Sequence, residues 1–348
     1  MKNVLYIVED ARSAQFRYRV KNVIESLEDS AKWKADWVLK SEIEKIEFDK
    51  VDLLVILRQT AKDKKILDLI DLAHKRGIKV LFDLDDLIFD YRDLPVLMRA
   101  TNSKNVAYWV GYLWGIRRIA KKVDGFITTN DFLAERLKRS FKKKCAVIRN
   151  SLNKEQLETS EKCLKEKVHD GFVIGYFSGS PTHSKDLRMI EAQLVNFLDN
   201  HKDVSFLLVG YMELSKTMQE LLRSKRMRMM RPVDYLELLK KEAVVDVNIA
   251  PLLVNEFTNC KSELKFFEAA IVETTTIASP TYAFSKAISD GKNGFLAEPS
   301  KWYDKLEYLY NNFSENQKIA KAARKYALEN YYGEKFLKEI EKAYEILI

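Results

Sequence analysis

The stretch VDVNIAPLLVNEFTNCKSELKFFEAAIVETTTIASP, Val245 to Pro280, sets the architecture. Val245–Ala250 reads as a short buried strand, Cys260–Val272 carries apolar residues at helical spacing, and Thr275–Ala278 is a second β-rich run. Strand, helix, strand in that order is the repeating unit of a parallel α/β sheet. The helix also poses a chemical question. Glu268 stands beside Phe266, Phe267 and Ala269. A carboxylate on an apolar face is costly unless something donates hydrogen bonds to it.

The same alternation continues on both sides. Towards the N-terminus the expected strands are Val4–Val8, Asp36–Lys40, Val51–Leu57, Lys79–Asp83, Gly125–Thr128 and Ala146–Ile148. Helical patterns at Gln15–Glu28, Lys62–Arg76, Val106–Lys122 and Asp131–Arg139 separate them, with Asp131 a candidate cap and Gly77 a stop signal. A charged segment without periodicity, Asn153–Asp170, reads as a linker with room for a short helix. Beyond it lie strands Val173–Phe177, Ser205–Val209 and Arg228–Met230, spaced by helices Lys185–Asp199, Glu213–Arg223 and Tyr235–Glu242. The chain closes with helical material from Trp302, interrupted near Tyr331–Gly333. The fold class expected is therefore α/β, with two doubly wound parallel sheets in tandem. The boundaries follow as 1–165, 166–330 and a terminal helix at 331–348.

Bulk properties agree. At 348 residues the chain exceeds the usual size of one core, and 47% hydrophobic content suffices for two. The apolar runs are strand-sized, too short to span a bilayer, and MKNVLYIVEDARS lacks a signal-peptide layout. Cys145, Cys163 and Cys260 are far apart and odd in number, which points to a reducing, cytoplasmic setting without a disulfide framework or zinc site. A net charge of +8 favours polyanions or anionic lipid, although a lysine-rich surface explains it equally.

With Asn259 as N-cap, Cys260, Lys261 and Ser262 would form a first turn with free amides, an anion site. Lys261, Lys265 and Glu268 would then share one stripe: two cations for phosphates and a carboxylate for ribose hydroxyls. A solvated Lys–Lys–Glu face has the same spacing. The wider pattern is more specific. Ala250–Pro251, Lys261–Ser262, Lys265–Phe266, Glu268–Ala269, Ala278–Ser279 and the turn Asp290–Gly294 fall in one order. In that order the segment resembles the donor-binding half of GT-B glycosyltransferases of the family 4 type. The resemblance implies two Rossmann-like domains facing a central cleft, with the last helix crossing back to the N-terminal domain. It implies a nucleotide diphosphate-sugar donor, UDP- or GDP-linked, and a glutamate at Glu268 that accepts from the ribose. Many relatives carry a second glutamate eight positions earlier, where this chain has Cys260.

Two further patches extend the likeness. VIGYFSGSPTHSKDL, Val173 to Leu187, is a strand, a small-residue loop and a helix. Gly175 and Gly179 would let the backbone approach a ligand, and Lys185 matches the lysine that holds the donor diphosphate in relatives. Ser180 stands where relatives have an arginine, and His183 is either a donor contact or a surface turn residue. Pro232 and Val233, after Arg231, correspond to the loop that lies against the base. No Walker or GxGxxG pattern is present.

The N-terminal half supplies acceptor candidates. Arg17, Tyr18 and Arg19 open the first helix, facing either ligand or solvent, and Arg19 is the strongest of them. FDLDDLIFD, Phe82 to Asp90, puts Asp83, Asp85 and Asp86 at a strand's carboxyl end. Those acids serve a metal-bridged diphosphate, an acceptor or general base, or a turn cap; the lysine-based donor signature favours the acceptor role. Asn105–Lys122 mixes Tyr108, Trp109, Tyr112 and Trp114 with a cationic end, and Arg136–Lys144 adds charge. A core helix with a basic last turn fits these letters. Peripheral contact with an anionic membrane fits them too, and is the reading adopted. No nucleic-acid module is recognisable.

The expected activity is metal-independent transfer of a sugar to a glycan or lipid-linked acceptor, in cell-surface polysaccharide or glycoconjugate synthesis, with retention carried over from the family. Lys185, Lys261, Asp85 and Asp86 are the catalytic candidates. Two alternatives stay open: a non-catalytic subunit supporting a partner transferase, and a GT-B nucleotide-sugar epimerase.

Overall fold

The computed structural model describes residues 1–61, 64–166, 171–179 and 184–348. They form two compact units. The first comprises Met1–Asn153, Asn259–Ser262 and Tyr331–Ile348; the second comprises Lys154–Thr258 and Glu263–Asn330.

In the first unit six strands form one parallel sheet: β1 (Lys2–Val8), β2 (Trp33–Leu39), β3 (Leu53–Leu57), β4 (Lys79–Asp83), β5 (Gly125–Thr128) and β6 (Lys144–Val147). Their order is β2-β1-β3-β4-β5-β6, so the winding reverses between β1 and β3. In such sheets ligands gather beyond the carboxyl ends near that reversal. All five residues of β3, LLVIL, are buried, as expected of a strand covered on both faces, whereas edge strand β2 alternates buried and exposed at its start.

The first helical stretch is not the single regular helix that its periodicity predicts. Ala14–Phe16 is α-helical, Arg17–Lys21 forms a π-turn and Asn22–Leu27 resumes the α-helix. The widened turn carries Arg19 into the interior, and such turns favour functional positions. Helix Asp131–Phe141 is capped by Asn130, whose Oδ1 accepts from the Leu133 amide at 2.9 Å, and not by Asp131. Helix Gly333–Leu347 packs on this sheet, burying Phe336, Ile340, Ala343, Tyr344 and Leu347 in its core. Leu347 ends that apolar stripe, and Ile348 beyond it is exposed. Gly333, at φ +70°, makes the break foreseen at Tyr331–Gly333.

In the second unit the strands are β7 (Phe172–Ser178), β8 (Val204–Gly210), β9 (Met227–Met230), β10 (Val247–Ala250), β11 (Thr275–Ala278) and β12 (Phe295–Leu296). They are parallel in the order β12-β11-β10-β7-β8-β9. The two-residue β12 has too little pattern to foresee. The expected linker is mostly helix, Lys154–Glu166, packed against helix Tyr235–Ala243.

Two glycines in this sheet answer to packing. A Cβ on Gly175 would lie 2.7 Å from Phe177 and 2.9 Å from Val245, so Gly175 serves the core and not a ligand. A Cβ on Gly210, at φ +143°, would meet the Ser178 carbonyl oxygen at 1.9 Å. The turn Asp290–Gly294 is also structural. The Asp290 carboxylate accepts from the Leu296 amide at 2.8 Å, and Asn293 accepts from the Ser289 amide at 2.7 Å.

Candidate functional site

In the first unit the chain leaves β4 through Asp83, Asp85 and Asp86. Arg19 and Asp83 are each only 1% exposed. Arg19 Nε donates to Asp83 Oδ1 at 3.1 Å and Nη2 to Oδ2 at 3.0 Å, while Nη1 donates to the Ile148 carbonyl and to Asn150 Oδ1. Burial pushes the Asp83 carboxyl up to about 6, with Arg19 pulling it back, so it is ionised at neutral pH. The two residues expected on the acceptor are therefore turned towards each other. Together they tie β4, the π-turn and the chain after β6 into one piece.

Asp85 and Asp86 are half-buried at the sheet's carboxyl edge. Arg58, one residue past β3, donates through Nη1 to Asp85 at 3.1 Å and to Asp86 at 2.7 Å, and through Nε to the Tyr112 hydroxyl at 3.2 Å. Lys261 Nζ donates to Asp86 at 2.5 Å. Burial alone would raise the Asp86 carboxyl; Lys261 and Arg58 outweigh it and hold the acid below the usual range. Sequence reading missed Arg58. The available signal was a cation directly after a fully apolar run at a strand's carboxyl end.

The helix expected from Cys260 begins only at Leu264. Asn259 is not its cap, Cys260–Ser262 form no first turn, and Lys261 shares no helical stripe with Lys265 and Glu268. The tetrapeptide Asn259–Ser262 is held within the first unit. Asn130 Nδ2 donates to the carbonyls of Asn259 (3.3 Å) and Lys261 (3.0 Å), and Asn150 Nδ2 donates to Ser262 Oγ (3.0 Å). Backbone carbonyls that a first turn would have engaged in helix bonds thus accept from a side chain instead.

In the second unit helix Leu264–Ile271 buries Phe266 through Ile271, Glu268 included at 4% exposure. One turn before Glu268, the stem of Lys265 reaches the surface but its ammonium is sealed. It lies 4.7 Å from the Tyr176 ring centre, with no hydrogen-bond partner among the described residues. Burial lowers Lys265 to about 8, against the opposing pull of Asp186, Glu242 and Glu268. Glu242, on helix Tyr235–Ala243, is 1% exposed and its Oε2 has no partner among the described residues. Burial first, and then neighbouring Glu268, push its carboxyl well above the ordinary range. One ammonium and three carboxyl groups, packed out of water, form a set able to donate to phosphate oxygens and accept from hydroxyls. Neither Glu242 nor Asp186 was foreseen; in sequence they read as ordinary helix letters.

The other donor candidates occupy loops of this unit. Gly179 follows β7 and is exposed, and Lys185 is exposed in the first turn of helix Ser184–Asn200 beside buried Asp186. Asp186 Oδ1 accepts from the Leu253 amide at 2.9 Å. Pro232 is exposed, while Val233 rests on Phe177, Leu207, Val209 and Val245. Ser180 and His183 lie outside the described residues. Among the described residues no three His, Cys, Asp or Glu side chains are placed to hold a metal ion, and no helix is long and apolar enough to cross a membrane.

The family model of glycosyl transferases group 1 matches residues 172–312, from the start of β7 to the end of helix Trp302–Asn311. No curated protein matches the chain by sequence. Solved structures match at low identity. HepE of Anabaena, in complex with UDP and glucose, is 13% identical with a TM-score of 0.64, covering 100% of this chain and 99% of its own. Sucrose-phosphate synthase of Thermosynechococcus elongatus is 13% identical with a TM-score of 0.70, at 100% and 99% coverage. TarM of S. aureus, in complex with fondaparinux, α-GlcNAc-glycerol and UDP, is 15% identical with a TM-score of 0.59; the match covers 88% of this chain and 57% of TarM. A group 1 glycosyl transferase domain therefore spans residues 172–312, and the two parallel sheets give the chain the GT-B fold of these neighbours.

Proposed function

We propose that the chain is a glycosyltransferase that moves a sugar from a UDP-linked donor to a glycan or lipid-linked glycan, with retention, during synthesis of a cell-surface polysaccharide or glycoconjugate. In this reading the second unit takes the donor and the first takes the acceptor. The protein works in the cytoplasm, at the inner face of a membrane and without a metal. UDP is favoured over GDP because HepE and TarM were both solved with UDP. The observation that carries the reading is the sealed ammonium of Lys265. A buried cation lacking hydrogen-bond partners is costly, and a diphosphate would supply them.

Lys265 and Lys185 would neutralise the diphosphate as the bond to the anomeric carbon breaks, where most charge develops. Glu268 would accept from ribose hydroxyls, and the loop at Pro232–Val233 would lie against the base. Asp85, paired with Arg58, and Asp86, paired with Arg58 and Lys261, would orient the acceptor hydroxyl that attacks the anomeric carbon. Arg19 and Asp83 act behind them as a positioning pair. Titration calorimetry with UDP and GDP, followed by turnover on a panel of UDP-sugars, tests the assignment. Binding of UDP with slow donor hydrolysis is expected; indifference to every nucleoside diphosphate would refute it. The anomeric signal of the product by NMR decides retention.

A further inference from the structure

We propose that the outer face of helix Val106–Lys122 docks on an anionic lipid bilayer, and that its aromatic side chains lead from that surface to the Arg58–Asp85–Asp86 cluster. This deepens the acceptor reading above and rests on it: the acceptor is drawn from a lipid-linked pool.

The inner face of the helix is anchored by Leu113, Gly115, Ile116, Ile119 and Ala120, all buried in the first unit. The outer face is uncovered. Val106 is 51% exposed, Val110 41% and Trp114 52%, at spacings of four; Tyr108, on a different side of the first turn, is 52% exposed. At 1.5 Å per residue that stripe is about 12 Å long, enough to lie in a headgroup layer.

Charge selects the occupant. From Leu94 to Val123 there is no aspartate or glutamate, but there are Arg99, Lys104, Arg117, Arg118, Lys121 and Lys122. Lys122 spends its charge on Asp71. The guanidinium of Arg118 sits 4.6 Å from the centre of the Trp114 ring, a cation flanking an amphipathic aromatic. An apolar stripe followed by cations in the last turns of its helix, without a carboxylate, complements anionic headgroups over an acyl interior.

Another side of the same helix leads to the candidate acceptor cluster. Tyr108 packs on Trp109 (5.3 Å between ring centres) and on Tyr112 (6.1 Å), and Trp109 packs on Tyr112 at 5.6 Å. The Tyr112 hydroxyl accepts from Arg58, which holds Asp85 and Asp86. A sugar leaving the bilayer would pass along aromatic faces towards those acids.

The test is co-sedimentation of the full chain with phosphatidylcholine vesicles, with and without phosphatidylglycerol. The wild type should sediment with the anionic vesicles, less so as salt rises, and should ignore phosphatidylcholine alone. The double variant Val106→Glu, Val110→Glu replaces two exposed side chains outside the cluster. It should lose about tenfold or more in vesicle affinity while keeping its far-UV circular dichroism and its UDP binding. The proposal is overturned if the wild type does not sediment, sediments equally with neutral vesicles, or is matched by the double variant. Capture of an acidic protein without vesicle binding would overturn it in favour of a protein partner. UDP titration on the same preparation keeps the two readings apart. Vesicle binding without UDP binding would remove the donor assignment and spare the surface; the reverse would remove the surface alone.

Discussion

Lys265 shows how one side chain couples burial to function. Its ammonium titrates near 8 in the folded chain against an ordinary 10.5. Between those values the unfolded chain holds more protons, so through Lys265 folding stability rises with pH across that interval; below about 8 burial of the charge is a constant cost. Binding runs the other way, because a diphosphate favours the charged form. UDP affinity should fall as pH passes about 8, and Lys265→Met should bind weakly with no such slope, as measured by calorimetry in a pH series. Glu268→Ala should weaken UDP binding by about 1–3 kcal/mol, the loss of a charged hydrogen bond; an unchanged dissociation constant would refute its ribose role. Arg19→Ala leaves Asp83 buried and unmatched, and should cost about 3–5 kcal/mol in chemical denaturation. These positions differ in legibility. Glu268 announced itself as a charge among phenylalanines, whereas Arg19 looked like one more cation on a helix because its partner is 64 positions away.

At the level of elements, two close approaches make strong predictions. Any side chain at Gly210 meets the Ser178 carbonyl, so the ends of β7 and β8 must part. Gly210→Ala should lower the thermal midpoint well beyond an ordinary surface substitution. The last helix contributes five core side chains and a buried hydroxyl pair, Tyr344 with Tyr6 at 2.5 Å. At about 1.5–3 kcal/mol for each large apolar side chain, its removal exceeds the net stability of most domains, so a chain ending at Tyr332 should be insoluble or lack a cooperative transition. Elements ruled by local pattern were readable: β4, β5, β11 and helix Val106–Lys122 occupy the residues their apolar runs and caps marked. The helix start at Leu264 was not. Asn130 and Asn150, more than a hundred positions earlier, take up groups on the segment that local rules would have given to a first turn. The π-turn at Arg17–Lys21 escaped notice because its cause, the buried Asp83, lies in another element.

For the whole molecule, alternating strands and helices were enough to name the architecture, and the ordered motifs of the second unit were enough to mark the group 1 domain. The division of the chain between units was harder to read, because it does not follow sequence. The first unit takes a tetrapeptide from the middle of the chain and a helix from its end. That arrangement has a consequence for biogenesis. A ribosome would release the sheet of residues 1–153 long before translating the helix that roofs it, leaving one flank of that sheet greasy and waiting. Stalled nascent chains carrying residues 1–330 should therefore be readily cleaved by protease in their leading third, and a chaperone should cling there. Protection should arrive abruptly with the codons for Gly333–Leu347, whose helix contributes several core side chains at once.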